Sequence, residues 1–127
     1  VKCYLLLILV LLTPVHAWAE EQDYLYYRDV NVPAYQTLRE FFDLPNRPGR
    51  YEVTLVSDAF GPLTFSIFRV YHEKEVLLKR SRSYKIRDHE FQVAFPNPHG
   101  DRDLIVEIAN SNPAKSAKVS VYVVELP

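Results

Sequence analysis

The chain has 127 residues, with 15 Lys and Arg against 16 Asp and Glu for a net charge of −1, and 48% of it is hydrophobic. That even balance argues against general affinity for nucleic acid or anionic lipid, which needs a basic excess. The single cysteine, Cys3, excludes an intramolecular disulfide framework, so apolar packing must hold the fold.

In chain order, the first 19 residues read as an export signal. Lys2 supplies the positive start, Tyr4 to Leu12 is an unbroken apolar run, and Ala17-Trp18-Ala19 has the small-x-small pattern of a cleavage site before Glu20-Glu21. The run is about half the roughly 20 apolar residues of a membrane span, so no span is expected after cleavage. Cys3 precedes the run, where a lipid-modified cysteine would have to follow it. A chain that opens on Val1 and lacks methionine is what a GTG start codon read literally produces, which points to a bacterial gene. Residues 20–127 then form one domain. Removing Lys2 from the 15 basic residues leaves 14 against 16 acidic, a net −2. The leader makes the expected location extracytoplasmic, a periplasm, a cell surface or the medium. The lack of cysteine and of an Asn-x-Ser/Thr sequon there fits a bacterial periplasm or cell surface better than a eukaryotic secretory route.

Beyond the leader the pattern is period-2. Tyr51, Val53 and Leu55 alternate with Glu52 and Thr54, and Leu63, Phe65 and Ile67 with Thr64 and Ser66. Phe91, Val93 and Phe95 flank Gln92 and Ala94, and Leu104, Val106 and Ile108 share a face opposite Glu107. The run Ala117, Val119, Val121, Val123 alternates with Lys118, Ser120 and Tyr122. Turn chemistry separates these runs at Asn46–Gly49, Phe60–Pro62, Asn97–Gly100 and Asn110–Pro113. Leu38 and Phe42 suit either period, and the segment Gln36–Asp43 is read as a strand. The predicted strands are Tyr24–Val32, Gln36–Leu44, Arg50–Ser57, Leu63–Tyr71, Val76–Lys79 with Ser83–Arg87, Glu90–Phe95, Leu104–Asn110 and Ser116–Glu125. About eight strands with almost no helix predict an all-β fold, an antiparallel two-sheet β-sandwich of jelly-roll type, its strand order unspecified.

Leu104-Ile-Val-Glu-Ile-Ala-Asn110-Ser-Asn, followed by Lys118-Val-Ser-Val-Tyr-Val-Val-Glu125, resembles the closing hairpin of bacterial pre-peptidase C-terminal and GOLD domains. In those exported β-sandwich modules, a strand ending in Asn and a small polar residue precedes a Lys- and Val-rich last strand. The Gly-x-Tyr often found before the first of these strands is replaced by Asp101-Arg102-Asp103. The resemblance implies adhesion, protein contact or solubility rather than catalysis.

No motif declares an enzyme. There is no Gly-x-Ser-x-Gly and no cysteine nucleophile after the leader, and Ser57-Asp58 with His72 or His89 is a trio any chain of this size offers. His72-Glu73 and His89-Glu90 are isolated pairs without zinc-ligand spacing. Asn97, Asp101 and Asp103 bring hard oxygens around Gly100 and are the one calcium candidate, although an ordinary hairpin loop has the same composition. No cofactor is expected. The run Lys79–Arg87 is the clearest charge asymmetry: Tyr84 and Ile86 are read as facing inward, Lys85 and Arg87 outward, with Arg80 and Arg82 on the preceding turn. That stripe suits an acidic polymer or protein, or protects a strand edge from aggregation. Tyr24, Tyr26, Tyr27 and Tyr35 crowd the start of the domain, and exposed tyrosines suit sugar or protein contact.

The expectation is therefore a non-catalytic exported protein that contacts an envelope protein or surface polysaccharide through Tyr24, Tyr26, Arg80, Arg82, Lys85 and Arg87. Two alternatives stand beside it. One is a structural subunit assembling through an edge strand such as Ser116–Glu125. The other is a small hydrolase or ligand-binding jelly-roll using His89, His99, Asp101 and Asp103.

Overall fold

The computed structural model describes residues 24–127; the predicted leader and its cleavage point lie outside the described residues. Eight strands follow in order: β1 (Tyr26–Val32), β2 (Thr37–Asp43), β3 (Gly49–Ser57), β4 (Leu63–Tyr71), β5 (Lys74–Ser83), β6 (His89–Asn97), β7 (Asp103–Asn110) and β8 (Ala117–Leu126). No helix occurs among the described residues, and Gln36–Asp43 is extended as read. The strands pair antiparallel in two four-stranded sheets, β1-β8-β3-β6 and β2-β7-β4-β5. Successive strands mostly cross from one sheet to the other, the jelly-roll solution of folding a long antiparallel ribbon over on itself.

The alternation read from the sequence aims one face of each sheet inward. Tyr51, Val53, Leu55, Val119, Val121 and Val123 from the first sheet meet Phe65, Ile67, Leu104, Val106 and Ile108 from the second, all buried. Each fully buried aliphatic side chain contributes about 1.5–3 kcal/mol, and apolar packing holds the described residues, which contain no cysteine.

Three expectations need correction. β5 is one strand rather than two pieces around an Arg80–Arg82 turn. It is an edge strand, mostly exposed on both faces, and its pairing with β4 shifts register at Ile67/Phe68, so no burial alternation marks it. It ends at Ser83, leaving Lys85 and Arg87 in the following loop, where Tyr84 and Ile86 are 76% and 74% exposed rather than inward-facing. Second, β7 and β8 do not form a hairpin; they lie in opposite sheets, joined by a crossing loop. Third, β8 is no edge: it sits between β1 and β3, with its backbone paired on both sides, which removes it as an assembly edge.

Candidate functional site

The outer face of the β1-β8-β3-β6 sheet brings three tyrosines together with a set of hydrogen-bonding side chains. Because side chains alternate, burying Val119, Val121 and Val123 of β8 turns Lys118, Ser120, Tyr122 and Val124 outward. Register then assembles transverse rows. Tyr122 stands beside Tyr27 of β1 and Thr54 of β3, and Thr54 beside Gln92 of β6; Ser120 stands beside Asp29 and Val56. Tyr24, just ahead of β1 and so free of its alternation, folds onto the same face. Its ring lies 5.3 Å from Tyr122, and Tyr27 meets Tyr122 edge-on at 4.8 Å.

Two adjoining grooves open on this face and share Val56. The larger, about 570 Å³, runs past Tyr27, Asp29, Asp58, Lys118 and Ser120. The smaller, about 380 Å³, lies between Tyr24, Tyr122, Glu52, Thr54 and Gln92. The polar groups are held in place. Asp29 Oδ1 accepts from Ser120 Oγ at 2.7 Å and from Tyr27 Oη at 3.2 Å, and Gln92 Nε2 donates to Glu52 Oε1 at 2.8 Å. The Ser120 bond outweighs the opposing effect of burial and, with smaller help from Tyr27 and Lys118, holds the Asp29 carboxyl below its usual range. Arg87 does the same for Asp58. Burial, then the Tyr27 phenol, pushes Tyr122 up. At neutral pH the face thus offers fixed carboxylate acceptors and an intact phenol donor. Asp58 is balanced by Arg87, but Asp29 and Glu52 still outnumber Lys118, so the grooves are slightly acidic.

The predicted contact residues do not converge. Tyr24 lines the smaller groove, but Tyr26 points into the sandwich. Its hydroxyl donates to the Asp43 carbonyl at 2.5 Å, with its ring 5.4 Å from Phe42. Arg80 and Arg82 lie on the outer face of the other sheet, donating to Ser66 Oγ at 2.8 Å and to Thr64 Oγ1 at 3.4 Å. Lys85 is exposed in the loop after β5, and Arg87 there pairs with Asp58. Tyr122, Asp29 and Ser120 were not singled out in the sequence. The polar side of the last alternating run was the available signal for Tyr122, but its neighbour Tyr27 follows only from strand order.

The other candidates separate as well. His89 is fully buried, with Nε2 3.0 Å from the Ala59 carbonyl and Nδ1 2.6 Å from Ser83 Oγ. A carbonyl only accepts, so Nε2 donates to it. Ser57 Oγ donates to the Lys118 carbonyl at 2.7 Å. His99 stacks on Tyr71 at 5.1 Å, at the opposite end of the sandwich. Of the calcium candidates, Asn97 is buried and closes its loop by donating to the Asp101 carbonyl at 2.7 Å. Asp103 opens β7 opposite Asp43. Asn97 Oδ1 and Asp101 Oδ2 are buried without a protein partner, but among the described residues no three His, Cys, Asp or Glu side chains gather as a metal group.

No family model matches the chain, and no curated protein sequence matches it. Among solved structures, the chain is similar to the cowpea mosaic virus top component, at TM-score 0.59 and 9% identity over 85% of this chain and 88% of that one. It is also similar to the Yersinia pseudotuberculosis-derived mitogen, at 0.53 and 12% over 78% and 83%. A third likeness is to Aeromonas hydrophila PliG, a periplasmic inhibitor of g-type lysozyme, at 0.52 and 12% over 80% and 85%. At these identities the likenesses establish the β-sandwich fold that the strand order already describes.

Proposed function

We propose that the protein is an exported, non-catalytic recognition module that holds a neutral or amino-sugar polysaccharide along the outer face of the β1-β8-β3-β6 sheet. The observation that carries this reading is the pair of adjoining grooves bordered by Tyr24, Tyr27 and Tyr122 and floored by anchored Asp29, Glu52, Gln92 and Ser120. Tyrosine rings offer an apolar surface with a polar tip, suited to the alternating C–H and hydroxyl faces of a sugar. Carboxylate, amide and hydroxyl groups supply oriented partners for sugar hydroxyls. From Val124 to Lys118 the grooves follow β8 for about 20 Å at ~3.3 Å per residue, a length suited to a polymer rather than a monosaccharide. The excess of carboxylates disfavours an anionic chain. The leader-like sequence supports extracytoplasmic placement.

Affinity electrophoresis of the protein through gels containing neutral, amino-sugar or uronic-acid polysaccharides tests the reading. Retardation by one of the first two is expected, with Tyr122→Ala weakening it about thirtyfold, the loss typical of a central aromatic anchor. Retardation only by uronic-acid polymers, none at all, or binding unchanged in Tyr122→Ala would overturn it.

A further inference from the structure

Four loops meet at one end of the sandwich: 33–36, 58–62, 84–88 and 111–116. They are stitched into one platform. The Tyr35 amide donates to the Asn112 carbonyl at 2.9 Å, that of Gly61 to Ile86 at 3.2 Å and that of Ser111 to Pro62 at 3.2 Å. Asn112 Nδ2 donates to the Phe60 carbonyl at 3.1 Å. From this platform project Tyr35 at 76%, Tyr84 at 76%, Ile86 at 74% and Phe60 at 43% exposure. Isolated exposed apolar side chains are ordinary. Here the three most exposed large hydrophobics among the described residues share one end with a fourth, each on a loop with no packing reason to present it.

The cations of the same end stand against these rings. Arg82 lies 5.3 Å from the Tyr84 ring, and Arg87 and Lys115 lie 5.0 and 4.7 Å from that of Phe60. Lys85 sits between Tyr84 and Ile86, exposed. Against Arg82, Lys85, Arg87 and Lys115 stand Asp58, which pairs with Arg87, and Asp88. The end is therefore locally basic in a molecule that is slightly acidic overall.

We propose that this end docks on an anionic phospholipid surface, with Tyr35, Phe60, Tyr84 and Ile86 entering the headgroup boundary and Arg82, Lys85 and Lys115 meeting lipid phosphates. Charge complementarity and side-chain type argue for this occupant. Tyrosine and phenylalanine rings are amphipathic or apolar bodies suited to the interface, and nearby cations add attraction to anionic lipid. Apolar tips on separate loops suit a soft boundary that admits each one independently. Asp58 also lines the larger groove, so docking by this end would leave the polysaccharide face beside the membrane. The inference does not depend on that face binding sugar.

Cosedimentation of the protein with vesicles of phosphatidylcholine alone, and of equal parts phosphatidylcholine and phosphatidylglycerol, tests it. Binding to the anionic vesicles only, reversed by high salt, is expected. Lys85→Ala should weaken it about fivefold, the contribution of one cation near an anionic surface, and Ile86→Ser should weaken it further. Both side chains are exposed, so both variants should keep the far-ultraviolet spectrum and any polysaccharide retardation of the parent. Equal binding to both vesicles, no binding, insensitivity to both substitutions, or equally tight capture by soluble polyglutamate would overturn the proposal, the last in favour of an acidic macromolecule.

Discussion

Asn110 ends β7 with its side chain turned inward, 3% exposed. Its Nδ2 faces the carbonyls of Val32 and Pro33, each at 3.3 Å, and Lys115 at 2.9 Å, while its Oδ1 accepts from the Asn112 amide at 3.0 Å. One side chain thus ties the β1–β2 turn to the β7–β8 crossing. Asn110→Ala should lower unfolding free energy in urea by about 2–3 kcal/mol, since it orphans several buried groups. Asn110→Asp should cost more, because it sets a further acceptor against carbonyls. Tyr51 gives a pH signature. Burial first, then the Glu125 carboxylate 3.3 Å from its hydroxyl, raises the phenol above its usual 10.0. A pKa raised in the folded state adds stability that is complete below the unfolded value and lost as pH rises through the folded one. Stability should therefore fall above about pH 10, and Tyr51→Phe should flatten that alkaline limb in denaturation curves recorded from pH 8 to 11.

At the level of elements, the β4–β5 hairpin shows where local reading fails. Tyr71 pairs with Lys74, leaving a two-residue turn of His72 (φ 49°) and Glu73 (φ 62°). Two positive φ values are the I′ geometry that Asn-Gly normally fills, and His-Glu carries no such signal. The turn holds two side chains in a region that costs about 1–2 kcal/mol for each L-residue. Replacing His72-Glu73 with Asn-Gly should raise the melting temperature by several degrees; an unchanged or lower value would show that the side chains compensate. Gly100 was legible as a turn glycine, and its φ of 65° agrees. Its close approach to the Arg47 backbone, 2.9 Å from where a Cβ would sit, was not legible, because Arg47 lies on a different loop. Where a strand has one buried and one wet face, as in β3 and β8, its letters announced it. Where both faces are wet, as in β5, they did not.

Across the whole molecule the partners are remote. β1 pairs with β8, so that Asp29 meets Ser120 across 91 positions. Loops this long must close before their contacts stabilise anything, so refolding from urea should occur on a millisecond-to-second scale in stopped-flow fluorescence; microsecond folding would contradict that account. The same remoteness explains why the predicted contact surface came apart. Tyr24 and the Arg80–Arg82 pair, which the sequence suggests as one contact surface, occupy outer faces of opposite sheets. The Tyr27–Tyr122 pair and the apolar, basic loop end became visible only once the strands were ordered. Alternation and turn chemistry act between neighbours in the chain, so the eight-strand sandwich class, the core side of most strands and the turns with glycine or proline could be read from the letters. Strand order, the interior position of β8 and the joining of four distant loops depend on which buried faces pack together. Several pairings satisfy the same local pattern, and only the packed sandwich chooses among them.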